Sequence, residues 1–173
     1  MRSILVIIPA RSGSKGLPNK NILKLNNKPL IHYTIEVARK VFDDKQIRVS
    51  TDCEKIKYIS EETGLKVGSL RPKKLAQDKT SSYDVIMHEI NNYEKTNGDL
   101  DTVILLQPTS PFREPKHIIE SQKLYSDKID MVVSVKKTHS NPYFNLFEES
   151  ETGYLKKVKK SIFKRRQDCP RNI

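Results

Sequence analysis

The chain has no tryptophan, three methionines and two cysteines in 173 residues. Two isolated thiols, Cys53 and Cys169, give neither a zinc-ligand spacing nor a disulfide framework. That excludes a disulfide-stapled scaffold and points to a reducing compartment. No apolar run approaches the roughly twenty residues a membrane-spanning helix needs. The apolar N-terminal stretch is too short for a signal peptide and lacks a small-residue cleavage site. The expectation is a cytoplasmic protein with no membrane partner. Internal repeats, low-complexity tracts and histidine clusters of metal spacing are also missing. Acidic residues are in deficit, with 21 Asp and Glu against 32 Lys and Arg, for a formal net charge of +11.

Much of that excess sits near the end of the chain, at Lys156, Lys157, Lys159, Lys160, Lys164, Arg165, Arg166 and Arg171. A basic nucleic-acid-binding domain is therefore one alternative. However, the basic residues lack interleaved aromatics and no recognition-helix pattern is present, so no nucleic acid is expected. A phosphate-rich small substrate or a partner chain accounts for local positive charge equally well.

The stretch that organises the chain is Ile4 to Asn21, ILVIIPARSGSKGLPNKN. Its opening apolar, β-branched run suits a strand buried on both faces of a parallel sheet. Pro9 cannot donate a ladder hydrogen bond, so the strand should stop there. Arg11, Ser12, Gly13, Ser14, Lys15, Gly16, Pro18 and Lys20 follow. Glycines at 13 and 16 would let the backbone turn and approach a ligand, and exposed N–H groups in such a turn attract anions. Three cations, Arg11, Lys15 and Lys20, add to this. The pattern suits a polyphosphate, with a solvated basic loop as the plainer alternative. It matches neither GxxxxGK[ST] nor GxGxxG, which argues against a P-loop NTPase and a dinucleotide-binding Rossmann site.

Beyond the loop, Asn26 to Pro29 reads as a turn. Leu30, Ile31, Ile35, Ala38 and Val41 or Phe42 then fall at helical spacing. Gln46–Ser50 reads as a second strand, Asp52 as the cap of the next helix, and Lys66–Leu70 as a third strand. Ser81 or Ser82 can cap a helix around Val85–Tyr93. Asp101–Leu106 is another buried strand, followed by Gln107-Pro108-Thr109-Ser110-Pro111-Phe112-Arg113 at its carboxyl end. In open α/β sheets ligands bind outside the carboxyl ends of strands, so this loop and the first should border one crevice. Pro115 starts a further helix, and Met131–Val135 is a further strand. Tyr143–Phe147 and Tyr154–Val158 read as a hairpin. The expected fold class is α/β: a Rossmann-like, doubly wound, mostly parallel sheet with a protruding hairpin.

The segments Pro9–Asn21 and LLQPTSPFR resemble the acylneuraminate cytidylyltransferase (CMP-N-acetylneuraminic acid synthetase) family, which activates acidic sugars with CTP. The resemblance implies a nucleotide-binding domain over 1–136 and a dimerisation and sugar-site arm over 137–173. It implies catalytic roles for Arg11 and Lys20 on the phosphates. Nucleotide-binding roles fall to Ala10, Arg11, Ser14, Lys20, Asn21, Arg71, Thr80 and Ser82. Gln107 would face the sugar, and Arg166 would meet its carboxylate from a second subunit. The implied partners are CTP, an acidic sugar and a second copy of the chain. Mg²⁺ is expected, with ligands in a returning C-terminal part of the family fold that this chain does not contain. The loop after Leu106 differs from the acidic loop of CMP-KDO synthetases, which ranks a KDO-type transferase lower. Tyr143-Phe144 stand where sialic-acid members carry a lysine after the proline matching Pro142, which leaves room for a different nonulosonic sugar.

Overall fold

A computed structural model describes residues 3–14, 16–160, 162–163 and 165–170, leaving the Arg166 side chain outside the description. The chain divides into two compact units, Met1–Lys123 and Leu124–Ile173.

The first unit is built on strand β1, Ile4–Pro9. β1 pairs in parallel with β4, Ile47–Ser50, on one side and with β5, Thr102–Leu105, on the other. The order β4-β1-β5 puts the most apolar strand in the middle. Alternation along β1 then sends side chains to both faces. Val6 and Ile8 join Ile47, Val49, Ile31, Ile35, Ala38 and Ile56 in one cluster. That face is covered by α1 (Leu30–Arg39), α2 (Glu54–Glu61) and Ile118 of α4 (Pro115–Leu124). Ser50 belongs to the opposite face of β4 and donates its hydroxyl to Glu89 of α3 (Ser82–Asn97) at 2.6 Å. Helices thus lie on both faces of a parallel sheet, a mixed α/β architecture. Leu5, Val6, Ile7 and Ile8 are fully buried. Each such side chain contributes about 1.5–3 kcal/mol relative to exposure, which outweighs a surface ion pair at about 0–1 kcal/mol.

Asn26 and Asn27 both take left-handed backbone, with φ of 49° and 63°. This is the type I′ requirement, and it joins two short antiparallel strands, β2 (Lys24–Leu25) and β3 (Lys28–Pro29). Pro29 then supplies the N-cap position of α1.

Three expectations are corrected. Lys66–Leu70 is not a strand: the Val67 N–H is taken by the Glu61 carboxylate at 3.1 Å, although Leu65 and Val67 are buried. Asp52 does not cap α2, whose N-cap is Cys53 with no side-chain cap, because the Asp52 carboxylate is occupied elsewhere. Met131–Val135 has no ladder, and Met131, Val133 and Val135 are exposed.

In the second unit the hairpin forms later than the apolar pattern suggested. β6 (Phe147–Glu149) pairs antiparallel with β7 (Leu155–Lys157), and Gly153 takes φ 79° in the turn. Residues 141–146 instead fold around Asn141, whose carbonyl accepts three backbone N–H groups. The Tyr143 and Phe163 rings meet edge-to-face at 5.8 Å, with the Lys159 ammonium 5.1 Å from the Tyr143 ring. Among the described residues, no helix is long and apolar enough to cross a membrane.

Candidate active site

Chain reversal at the carboxyl ends of β1 and β5 leaves a pocket of about 270 Å³. Pro9 and Leu105 form its base together with Val85 of α3. The loop after β1 supplies Arg11, Ser14, Lys20 and Asn21. The segment before α3 supplies Arg71, Gln77, Asp78 and Thr80, and the first residue of α3 supplies Ser82. Gln107 and Thr109 enter from the loop after β5. Three segments far apart in sequence therefore meet where a doubly wound sheet is expected to bind ligand.

The phosphate-loop candidate is held from two sides. Asn21, buried, donates from Nδ2 to the Arg11 carbonyl at 3.1 Å. Ser12 donates its N–H to Asp52 Oδ1 at 3.0 Å and its hydroxyl to Asp52 Oδ2 at 2.8 Å. Among the described residues of the loop the left-handed one is Asn19, at φ 56°, and neither Gly13 nor Gly16 takes positive φ. Asn tolerates this region because its short side chain bonds locally. A Cβ at Gly13 meets nothing within 4 Å, so that glycine leaves open space beside the loop. The Ser14 N–H already donates to the Ser12 carbonyl, while the Gly13 N–H has no partner among the described residues. The expected anion-binding backbone is thus narrower than the loop's composition suggested. Lys15 lies outside the described residues.

Arg11 spans the pocket. Its Nη1 donates to the Gln77 carbonyl at 3.1 Å and pairs with Asp78 at 3.0 Å. Lys20 lines the same pocket, half-buried, with no ion pair among the described residues. Arg71 is 4 % exposed and its Nε has no hydrogen-bond partner among the described residues. Burial lowers its pKa, Asp52 and then Glu89 oppose that, and Arg11 adds to the lowering. A guanidinium nonetheless stays charged at any ordinary pH. A buried cation with an unspent donor beside an open pocket is suited to a polar acceptor on a ligand.

Ser81, not Ser82, caps α3. It accepts the Asp84 N–H at 3.1 Å, and Asp84 returns a bond to the Ser81 N–H. The Ser82 hydroxyl stays unbonded among the described residues at the helix start, where partial positive charge gathers. The Thr80 hydroxyl donates to the Lys74 carbonyl at 3.2 Å and so shapes the segment it belongs to. Arg113 Nη2 donates to the Gln107 carbonyl at 3.3 Å, fixing the backbone that carries Gln107 into the pocket.

Of the residues singled out in the sequence, Arg11, Ser14, Lys20, Asn21, Arg71, Thr80, Ser82 and Gln107 all line this pocket. Ala10 does not: it is fully buried, and its N–H donates to the Ser50 carbonyl at 2.9 Å. Arg166 has its side chain outside the described part of the structure. Sequence reasoning missed Asp52, Gln77, Asp78 and Glu89. Asp52 carried a usable signal, an acidic residue just past the carboxyl end of a parallel strand. Among the described residues no group of three or more His, Cys, Asp or Glu stands together to hold a metal ion. The pocket's one lining carboxylate, Asp78, is tied to Arg11. These residues do not by themselves make a Mg²⁺ site.

Comparison with known proteins decides the family. A match described as cytidylyltransferase runs over residues 5–172. The chain belongs to the cytidylyltransferase family. The N-acylneuraminate cytidylyltransferase of Escherichia coli O18:K1:H7 is 48% identical over 138 residues, covering 79% of this chain and 32% of that protein. The N-acylneuraminate cytidylyltransferase of Streptococcus agalactiae serotype V is 43% identical over 154 residues, covering 87% and 36%. The chain thus spans about a third of the length of these two relatives. The CMP-N,N'-diacetyllegionaminic acid synthase of Legionella pneumophila is 37% identical over 153 residues, covering 88% and 66%. Among solved structures, a CMP:2-keto-3-deoxy-manno-octonic acid synthetase complexed with CTP superposes with a TM-score of 0.57 at 26% identity, covering 70% of this chain and 46% of that one. The family's parallel α/β core is therefore the one described above.

Proposed function

We propose that the protein transfers CMP from CTP to an acidic nonulosonic, sialic-acid-like sugar and releases pyrophosphate. The observation that carries this reading is one pocket shared by the Arg11–Lys20 loop, the buried Arg71 and Gln107. Relatives named for sialic, legionaminic and pseudaminic acids support the substrate class.

In this reaction the sugar's anomeric hydroxyl attacks the α-phosphorus and the bond to the β-phosphate oxygen breaks. Phosphoryl-type transfer needs charge compensation and in-line placement more than a covalent catalyst. Arg11 and Lys20 take the phosphates and the departing pyrophosphate. Arg71, with Thr80 and Ser82, takes the cytosine and ribose. Cytosine offers O2 and N3 as acceptors, which a guanidinium satisfies. Ser14 and Asn21 border the nucleotide. Gln107 faces the sugar. A second copy of the chain, through the arm of residues 137–173, brings Arg166 to the sugar carboxylate in a bidentate pair. Mg²⁺ would accompany the triphosphate and neutralise its charge, with ligands that are not among this chain's residues, and the setting is the cytoplasm.

The deciding experiment is a matrix of CTP, UTP, ATP and GTP against sialic, legionaminic, pseudaminic and KDO-type acids, read by pyrophosphate release. Turnover is expected with CTP and a nine-carbon acid. Turnover with the KDO-type acid alone, or with none of the four acids, defeats the reading.

A further inference from the structure

We propose that Asp52 is a positioning residue that holds the phosphate loop at a fixed spacing from Arg71, so that both ends of one nucleotide are met at once. This rests on the nucleotide reading above.

Asp52 follows directly on Thr51, at the end of β4. The two neighbours bind the two halves of the pocket. The Thr51 carbonyl accepts the Arg71 N–H at 2.7 Å. Both oxygens of Asp52 are taken by Ser12, one by its N–H and one by its hydroxyl. Ser12 is next to Arg11, whose guanidinium lines the same pocket as that of Arg71. One dipeptide therefore sets the distance between the loop that meets the phosphates and the arginine that meets the base.

The placement is not explained by helix stability. Asp52 lies just ahead of the α2 N-cap, Cys53, and no side chain caps that helix. The Cys53 N–H goes to Thr51 Oγ1 at 3.2 Å. The carboxylate is turned away from the helix and toward the loop. Charge gives a second reason. Arg11 and Arg71 repel each other across the pocket, and Asp52 is the foremost charged group opposing that repulsion at Arg71, ahead of Glu89. Glu89 is itself fixed by the Ser50 hydroxyl. Two guanidiniums can thus wait in one pocket, already oriented, before an anion arrives. Preorganised charge of this kind costs no rearrangement when the ligand binds.

The test uses D52N, D52A, S12A, S12T and the double variant S12A/D52N, with CTP binding by calorimetry, melting temperature, and exchange of the Ser12 amide by NMR. D52N is expected to weaken CTP binding by about tenfold, in line with loss of a charge-assisted pair, and D52A to speed Ser12 amide exchange. S12A loses less, because the N–H bond survives. S12T, which keeps the hydroxyl, binds as the unaltered protein does. The double variant binds no worse than D52N, since the two side chains act as a unit. If D52N melts early, the S12A and S12T pair carries the comparison. CTP affinity unchanged in D52N, or additive losses in the double variant, overturns the role. Ser12 protection retained in D52A, where no side-chain oxygen remains to accept the N–H, overturns the latch itself. Failure of the unaltered protein to bind CTP overturns the nucleotide reading and this role with it, even where the Ser12 exchange behaves as stated.

Discussion

Arg11 and Asp78 form an ion pair of 3.0 Å across the mouth of the pocket. Both side chains are partly exposed, so solvent screens the pair and it stabilises the fold little. Its consequence is for binding: a polyanion has to displace Asp78 to reach Arg11. Asp78→Asn is expected to tighten CTP binding by about two- to fivefold, the range for a screened pair. Isothermal titration reads this directly. An affinity that falls instead would place Asp78 on the ligand's side.

Lys20 makes no ion pair among the described residues and borders the same space. In the proposed reaction that charge goes to the leaving group. Lys20→Ala should lower kcat by about a hundredfold or more, as loss of one preorganised charge-stabilising group does. The melting temperature should stay the same. Steady-state pyrophosphate release and a thermal scan give both readings, and unchanged turnover removes Lys20 from the mechanism.

Gly13 has room for a side chain in the protein itself, since an added Cβ touches nothing within 4 Å. Gly13→Ala is therefore expected to leave stability unchanged or slightly raised, by restricting the unfolded chain. If the phosphates lie against this loop, the same methyl group occupies their space and raises KM for CTP several-fold. Urea unfolding together with CTP saturation curves separates the two effects.

Asn19 carries the loop's left-handed turn at φ 56°. Asn19→Gly should be neutral within a few tenths of a kcal/mol. Asn19→Ala should cost about 1 kcal/mol, because a plain Cβ is disfavoured there. Chemical denaturation of the two variants checks the ordering. Equal stability would show that the turn relaxes.

Particular residues show what the sequence could and could not convey. The run Ile4–Ile8 announced a doubly buried strand, and the spacing of Ile31, Ile35 and Ala38 announced α1, since burial writes itself into periodicity. Val67 shows the limit. The stretch around it reads as a strand, but a ladder depends on which partner takes the N–H, and here a glutamate side chain does so. Asp52 shows a second limit. A carboxylate ahead of a helix reads locally as a cap, while its actual partner, Ser12, lies forty residues earlier. The roles of the pocket's arginines, lysine and glutamine were legible through the family resemblance, while the residues alone pointed only to the cation-rich loop after β1 and to a crevice it shares with the loop after β5. The ion pair of Arg11 with Asp78 was not, because side-chain pairing across loops leaves no periodic trace.

The central place of β1 has a consequence for how the chain comes to be folded. This strand is made before both of its sheet partners, and Thr102, which pairs opposite Ile4, emerges almost a hundred residues later. At about 5–20 residues per second, translation leaves one flank of the greasiest segment open for on the order of five to twenty seconds. A nascent chain in that interval presents an unfinished β edge to its surroundings, and holdase chaperones would be expected to find it there.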